Sequence, residues 1–410
     1  MKTAVAESTQ LQRLKIAVLN RQFTSRAGGA EHYSVRMVEL LAQRHDIHVY
    51  AQQIEHVCPG VSYHRVPLLL ARPRWLNQLW FAVYTWWRTR ANAFDIVHSH
   101  ENTWHGQVQT VHVQPIKQGL FFNRKGWRLA KRRLQVATSP RLWTYLLLEK
   151  ARFSPRPGRV AIAVSLSTLS DLLREYPLLQ DHAIALSPGV DLPALAPTPD
   201  ERASQRNFAR LGLGLPQQGY QILFIGNDAN KKGLPTLMRA LATLPDAVHL
   251  TAITHRTHIP ALQAQAQALT ISSRVHFLEQ LADITPAYRS ADMLAHPTHE
   301  DSFGMVVLEA MAHALPVVVS APRWCGIAAE LQAGKQALFL ENPDDAPALA
   351  ALVTQILTDA ALAERLARAG RSFAENHNWS AKALQQEAIY YRIYRKPGKS
   401  HRIVFPIQYQ

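Results

Sequence analysis

The chain has 410 residues, 47% apolar and 18% charged, enough for two domains of roughly 150–200 residues with separate cores. That balance excludes a disordered chain and a disulfide-stapled miniprotein. Net charge is +15, and its distribution is uneven: residues 1–192 carry 25 Lys+Arg against 12 Asp+Glu, residues 193–410 carry 20 against 18. The positive field belongs to the first half, which leaves nucleic acid, an acidic membrane surface and a phosphorylated substrate open as partners.

Cys58 and Cys325 stand far apart and match no zinc or CxxC spacing, so both read as thiols of a reducing compartment. No apolar run approaches ~18 residues, and the N-terminal segment lacks the apolar core of a secretory signal. The expectation is a soluble cytoplasmic protein.

Residues 14–20 are apolar on both faces and predict a buried parallel strand, followed by a glycine-containing loop and a helix through Tyr33, Met37, Leu40 and Leu41. Strands are expected at 46–50, 95–98, 109–113 and 160–164, then a helix over 166–174. Pro188, Pro193, Pro197 and Pro199, with the charged stretch 200–211, read as a linker. The alternation restarts with strands at 220–225, 248–254, 275–278, 293–296 and 316–320. Helices are expected at 232–244, 259–269, 305–313, 346–369 and 379–394. The pattern predicts an α/β protein of two Rossmann-like, doubly wound domains facing a cleft. Their expected bounds are 1–192 and 218–380, with a linker at 193–217. Residues 381–410 form a last helix and tail that pack back on the first domain.

The segment from His299 to Ala312 places Glu300, Asp301 and Gly304 in a loop after a strand and Glu309 one turn into a helix, beside Val306, Val307 and Leu308. Backbone amides of Gly304, Met305 and Val306 at such a helix start suit a diphosphate. The plain alternative is a capped helix with a solvated acid. Lys231 and Lys232 follow the strand ending at Gly226 and would add positive charge there; alone, they would read as a solvated pair. Gly28 and Gly29, after the first strand, let a backbone approach a ligand or simply make a turn. His112 ends a predicted strand; with 19 histidines in the chain, packing is the competing reading, and His98 and His100 lack a third metal ligand at sensible spacing.

Two aromatic-basic stretches remain, 72–90 and 121–133. The second packs Arg124, Lys125, Arg128, Lys131, Arg132 and Arg133 into ten residues beside Phe121, Phe122 and Trp127. Acceptor or membrane binding competes with core aromatics and merely solvated arginines. GxGxxG, Walker A and GxSxG are missing from the sequence, which counts against dehydrogenase, P-loop and α/β-hydrolase readings.

Asp301 and Glu309 stand at the acid-x7-Glu spacing of the retaining two-domain (GT-B) family 4 glycosyltransferases, and the chain resembles them over about 14–395. Gly226-Asn-Asp228 followed by Lys231-Lys232-Gly233, and Cys325-Gly-Ile-Ala328, are most similar to the lipopolysaccharide core glucosyltransferases of that family. The resemblance implies that Asp301 contacts donor-sugar hydroxyls, with Asp where Glu is usual, and that Glu309 binds the ribose. It further implies that Lys231, Lys232 and the 304–306 amides hold the diphosphate and that Gly28 and Gly29 approach the donor phosphate, with Arg26 as a weaker candidate. His112 would position sugar or acceptor, and Cys325 would be a buried structural thiol.

The implied function is sugar transfer from a nucleotide-sugar, UDP-glucose by resemblance, to an anionic or lipid-linked saccharide at an anionic membrane surface, with no metal or other cofactor and no nucleic acid. The alternative is a non-catalytic saccharide- or membrane-binding relative of the same fold.

Overall fold

The computed structural model describes residues 12–24, 28–70, 72–91, 93–122, 124–195 and 198–395. The chain divides into two compact units. Among the described residues, the first draws on those within 12–163, 171–184 and 383–395, the second on those within 164–170 and 185–382.

The first unit is built on a seven-stranded sheet. Its spatial order is Val61–Arg65, Asp46–Ala51, Lys15–Leu19, Ile96–Ser99, Val108–Val111, Val160–Ala163 and Ala183–Ala185. The central strands pair in parallel, with Ile16 opposite Ile47 on one side and Ile96 on the other. Lys15–Leu19 is buried at four of its five positions, as a strand covered on both faces must be. Strand order reverses between Lys15–Leu19 and Ile96–Ser99, which makes their carboxyl ends the switch point of this sheet. Phe81 is fully buried against Ala17, Leu19 and Tyr50, so the helix Arg74–Thr89 contributes to the core. Its Trp86 and Trp87 remain outside with Arg90 and Arg88 over their rings. The helix thus gives one face to the core and leaves an aromatic-basic face outside.

The second unit has a six-stranded sheet in the order Val275–Leu278, Val248–Ile253, Tyr220–Ile225, Met293–His296, Val317–Ser320 and Leu338–Leu340. All its registered pairs are parallel. One face packs on Leu234, Leu237, Leu241, Leu349, Val353 and Leu366, the other on Tyr288, Phe303, Val307, Met311 and Ile327. Here the order reverses between Tyr220–Ile225 and Met293–His296.

Local chemistry moves several boundaries. The segment 200–211, read as linker, folds as the helix Pro199–Gly212. Thr198 and Glu201 form a reciprocal capping box that satisfies otherwise orphaned amides. Arg206 and Arg210 anchor that helix on Asp292, which also accepts from the Gln221 amide at 2.7 Å. The helix expected from Lys232 begins instead at Leu234, because Gly233 takes φ 81° as its N-cap. The helical run 346–369 is two helices, Ala346–Thr358 and Ala360–Glu375, bent 97° to each other, with Asp359 accepting from the Leu362 amide at the break. Among the described residues no single helix is long and apolar enough to cross a membrane.

Within the final helix, Trp379–Arg395, residues from 383 onward belong to the first unit. Glu387 pairs there with Arg44 at 3.0 Å and His45 at 2.9 Å, and the Tyr391 hydroxyl donates to the Gln12 carbonyl at 2.7 Å.

Candidate active site

In the second unit, the two loops leaving the switch-point strands converge. Tyr220–Ile225 leads into Gly226–Lys232, and Met293–His296 into Pro297–Gly304. Gly233 is required at the junction: with φ 81°, a Cβ there would collide with the Pro297 carbonyl. This close approach delivers Lys232, whose Nζ lies 2.6 Å from Asp301 Oδ2 and 3.1 Å from the Glu300 carbonyl. His296 ends its strand fully buried and places Nε2 3.0 Å from the same carboxylate oxygen.

Burial opposes ionisation of Asp301, but the hydrogen bond from His296 and the Lys232 ammonium outweigh it. The carboxyl is held well below its usual range. Burial lowers the His296 pKa in spite of Asp301, so a neutral ring donates Nε2–H and leaves its buried Nδ1 without a partner among the described residues.

The two lysines do different work. Lys232 is largely buried against Asp301, whereas Lys231 is half exposed and pairs with Glu300 Oε1 at 2.9 Å. The Glu300 carboxylate therefore faces Lys231, while the Asp301 carboxylate meets both His296 and Lys232. Both ammonium groups are held by adjacent acids.

The helix Met305–Ala312 begins at Gly304 (φ 98°), where a Cβ would sit 2.8 Å from Cys325 Sγ. Among the described residues, no group accepts from the amides of Gly304, Met305 or Val306, so three N–H groups stand open at the positive end of the helix. One turn on, Glu309 is half-buried and its Oε2 accepts from the Tyr288 hydroxyl at 2.5 Å. Tyr288 is itself buried and stacked on His313. Cys325 is fully buried, its thiol donating to the Phe303 carbonyl at 3.5 Å with its pKa pushed well up by burial, which leaves it protonated.

In the first unit, Gly28 is the N-cap of the helix Gly29–Ala42 and has extended geometry that any residue adopts. Its glycine is thus not demanded by conformation. Arg26 lies outside the described residues. His112 follows Val108–Val111 and puts Nε2 2.9 Å from His100 Nδ1, with the rings stacked and Tyr33 edge-on at 5.3 Å. His98 continues the array, holding the Tyr390 hydroxyl at 2.6 Å and the Thr110 hydroxyl at 2.7 Å. Burial, then neighbouring positive charge, pushes His98 and His112 down to about 3 and His100 well below its normal value. The array is neutral near pH 7.

Arg124, Lys125, Arg128, Lys131 and Arg133 are exposed and Arg132 half-buried, on or just before the helix Gly126–Ala137. Trp127 is 70% exposed, with Arg128 and Lys131 beside its ring.

His296 and Tyr288 are the residues that sequence reasoning missed. Only the position of His296, at a strand end five residues before Asp301, signalled a role; Tyr288 gave no motif.

Residues 27–193 match the family model "Glycosyltransferase Family 4", and residues 205–373 match "Glycosyl transferases group 1". The chain is 31% identical over 235 residues to the D-inositol 3-phosphate glycosyltransferase of Salinispora arenicola (strain CNS-205), covering 53% of this chain and 51% of that one. It is 25% identical over 242 residues to the lipopolysaccharide glucosyltransferase WaaG of Escherichia coli (strain K12), covering 57% and 62% respectively. The matches thus span about half the length of these curated relatives. Among solved structures, WaaG superposes with a TM-score of 0.76 at 21% identity, over 92% of this chain and 99% of that one. Anabaena HepE in complex with UDP and glucose gives 0.68 at 18%, over 93% and 100%. At such identities these two likenesses concern the fold. Between them the two family models span most of both units, and the chain belongs to the two-domain GT-B glycosyltransferases of family 4.

Proposed function

We propose that this protein transfers a sugar, with retention at the anomeric carbon, from a nucleotide-sugar donor to a saccharide acceptor. UDP-glucose is the donor and a lipid-linked, lipopolysaccharide-core-like saccharide the acceptor. The observation that carries the reading is the second unit's switch-point cluster: the Lys232–Asp301–His296 network beside three open amides at Gly304, Met305 and Val306. It combines a carboxylate for sugar hydroxyls with an anion-binding helix start. HepE, of the same fold, was solved with UDP and glucose, which favours a uridine donor.

In this reading the diphosphate lies at the open amides, Lys231 and Lys232 offset the charge that grows on it as it leaves, and Glu309 takes the ribose hydroxyls. Asp301 orients the sugar. Its Oδ2 is engaged by Lys232 and His296, which makes it a weak nucleophile, so the acceptor hydroxyl attacks from the face the diphosphate leaves. The anomeric C–O bond to phosphate breaks, the acceptor O–C bond forms, and the acceptor proton passes to the departing phosphate oxygen. The transition state is oxocarbenium-like. His112 positions sugar or acceptor as a neutral ring, and no metal enters the reaction.

The basic first unit receives the anionic acceptor. The helix Gly126–Ala137, with exposed Arg124, Lys125, Arg128, Lys131 and Arg133 around Trp127, holds the enzyme at the inner face of an anionic membrane.

A calorimetric panel of UDP-, GDP- and ADP-sugars tests the donor assignment, with UDP-glucose expected to bind most tightly. Absence of binding by every nucleotide-sugar would overturn it. NMR of the product's anomeric configuration tests retention.

A further inference from the structure

Glu39, His56 and Cys58 come from different parts of the first unit and meet at one point. Glu39 projects from the helix Gly29–Ala42, whereas His56 and Cys58 lie in the loop after the short strand Gln53–Ile54. Glu39 Oε1 is 2.8 Å from His56 Nε2, and the donor atoms of all three residues lie within 4.8 Å of one another. We propose that these residues form a zinc(II) site, separate from the sugar-transfer chemistry, with Glu39 Oε1, His56 Nε2 and Cys58 Sγ as ligands and water in the fourth position.

Each ligand is held by an independent contact. The amides of Glu55 and His56 donate to the Phe23 carbonyl at 3.0 and 3.3 Å, pinning the loop to the strand Gln22–Phe23. The Cys58 amide donates to the Tyr63 hydroxyl at 2.7 Å. Arg36 Nη1 pairs with Glu39 Oε2 at 2.5 Å, leaving Oε1 turned to His56; ligating carboxylates are commonly oriented by such an outer contact. Phe23 lies 5.8 Å from the Tyr63 ring and 6.4 Å from His56, forming an apolar side wall. Cys58 is buried, while Glu39 and His56 are half-exposed, which gives the ion an entry path.

The donor set fits zinc by chemistry. One thiolate, one imidazole and one carboxylate form a borderline-soft set whose two negative charges balance the ion. Ligands sharing a tetrahedral zinc stand roughly 3.3–3.8 Å apart, so the cluster opens slightly at the Glu39–His56 contact and closes on Cys58. On binding, the Cys58 thiol gives up one proton to solvent, and the His56 proton resides on Nδ1. The site ties the helix that begins at Gly28 and Gly29 to the loop 55–58.

Cobalt(II) reports the site spectroscopically. Full-length, untagged, chelator-stripped protein titrated with cobalt(II) should show one equivalent of thiolate-to-cobalt charge-transfer absorption in the near ultraviolet, abolished by competing zinc. Cys58→Ser should abolish the band and Cys325→Ser retain it, while Glu39→Gln and His56→Gln should each weaken apparent affinity at least tenfold. Alkylation of wild-type Cys58, followed by mass spectrometry, needs no variant: zinc should slow it at least tenfold. A wild-type protein with no charge-transfer band in excess cobalt, a band that survives in a folded Cys58→Ser variant, or alkylation unaffected by zinc, would each overturn the proposal.

Discussion

Lys232 Nζ and Asp301 Oδ2 stand 2.6 Å apart, joining the loops that leave two adjacent parallel strands at the switch point of the second unit. The pair is largely buried, and His296 donates to the same oxygen. Removing one partner leaves the other charge poorly compensated. Lys232→Ala and Asp301→Asn should therefore each lower kcat/KM at least tenfold, since a charge-assisted hydrogen bond contributes ~1.5–3 kcal/mol. Steady-state kinetics with UDP-glucose measures this, and wild-type values in both variants would remove the cluster from the site.

The same residue predicts an acid response. The Asp301 carboxyl is depressed below its ordinary 3.8, so its stabilising contribution is fully present above that value and is lost as pH falls towards the folded-state pKa. Denaturant unfolding between roughly pH 5 and pH 3 should fall less steeply in Asp301→Asn than in wild type. Parallel curves would show that Asp301 is not ionised against its neighbours.

Glu309 is held by the Tyr288 hydroxyl. Glu309→Gln should weaken donor binding at least tenfold. Tyr288→Phe should weaken it less, about two- to tenfold, through loss of one hydrogen bond of ~0.5–1.5 kcal/mol. Calorimetry with UDP separates these from effects on the sugar; an unchanged Kd in Glu309→Gln would detach that residue from the nucleotide.

His98 is pushed down to about 3 from 6.5 by burial, so the unfolded chain binds a proton that the folded chain refuses. The stabilisation is complete above pH 6.5 and declines below it, by about 2 kcal/mol at pH 5. Thermal unfolding from pH 7.5 to pH 5 should show this loss in wild type and a smaller one in His98→Gln. Equal slopes would mean that the ring is charged when folded.

Turnover should persist in EDTA, because the proposed transfer relies on Lys231, Lys232 and backbone amides for the diphosphate. Loss of activity in chelator, restored by magnesium or manganese, would contradict this.

Anionic vesicles should retain the protein in a salt-sensitive manner, and neutral ones should not. Replacing Lys131, Arg132 and Arg133 by Gln should reduce co-sedimentation, as each basic group contributes ~1 kcal/mol near an acidic surface. Equal binding to neutral vesicles would leave the helix Gly126–Ala137 as an ordinary solvated face.

By itself the sequence determined the alternation of strands and helices, because a parallel strand covered on both faces reads as an apolar run, such as Lys15–Leu19 or Val317–Ser320. It also marked Asp301, Glu309, Gly304 and the Lys231–Lys232 pair, whose spacing lies within short segments around two loops. It misread 200–211 because charge looked like linker, when Thr198 and Glu201 were capping a helix. Tertiary structure alone decided which lysine meets Asp301, and it brought in His296 at the end of the neighbouring strand and Tyr288 from 21 residues before Glu309. It also stacked His112 on His100 and closed Glu39 onto His56 and Cys58. Such contacts depend on strand order and on how closely Gly233 lets one loop approach another, and neither quantity is written in the spacing of any single segment.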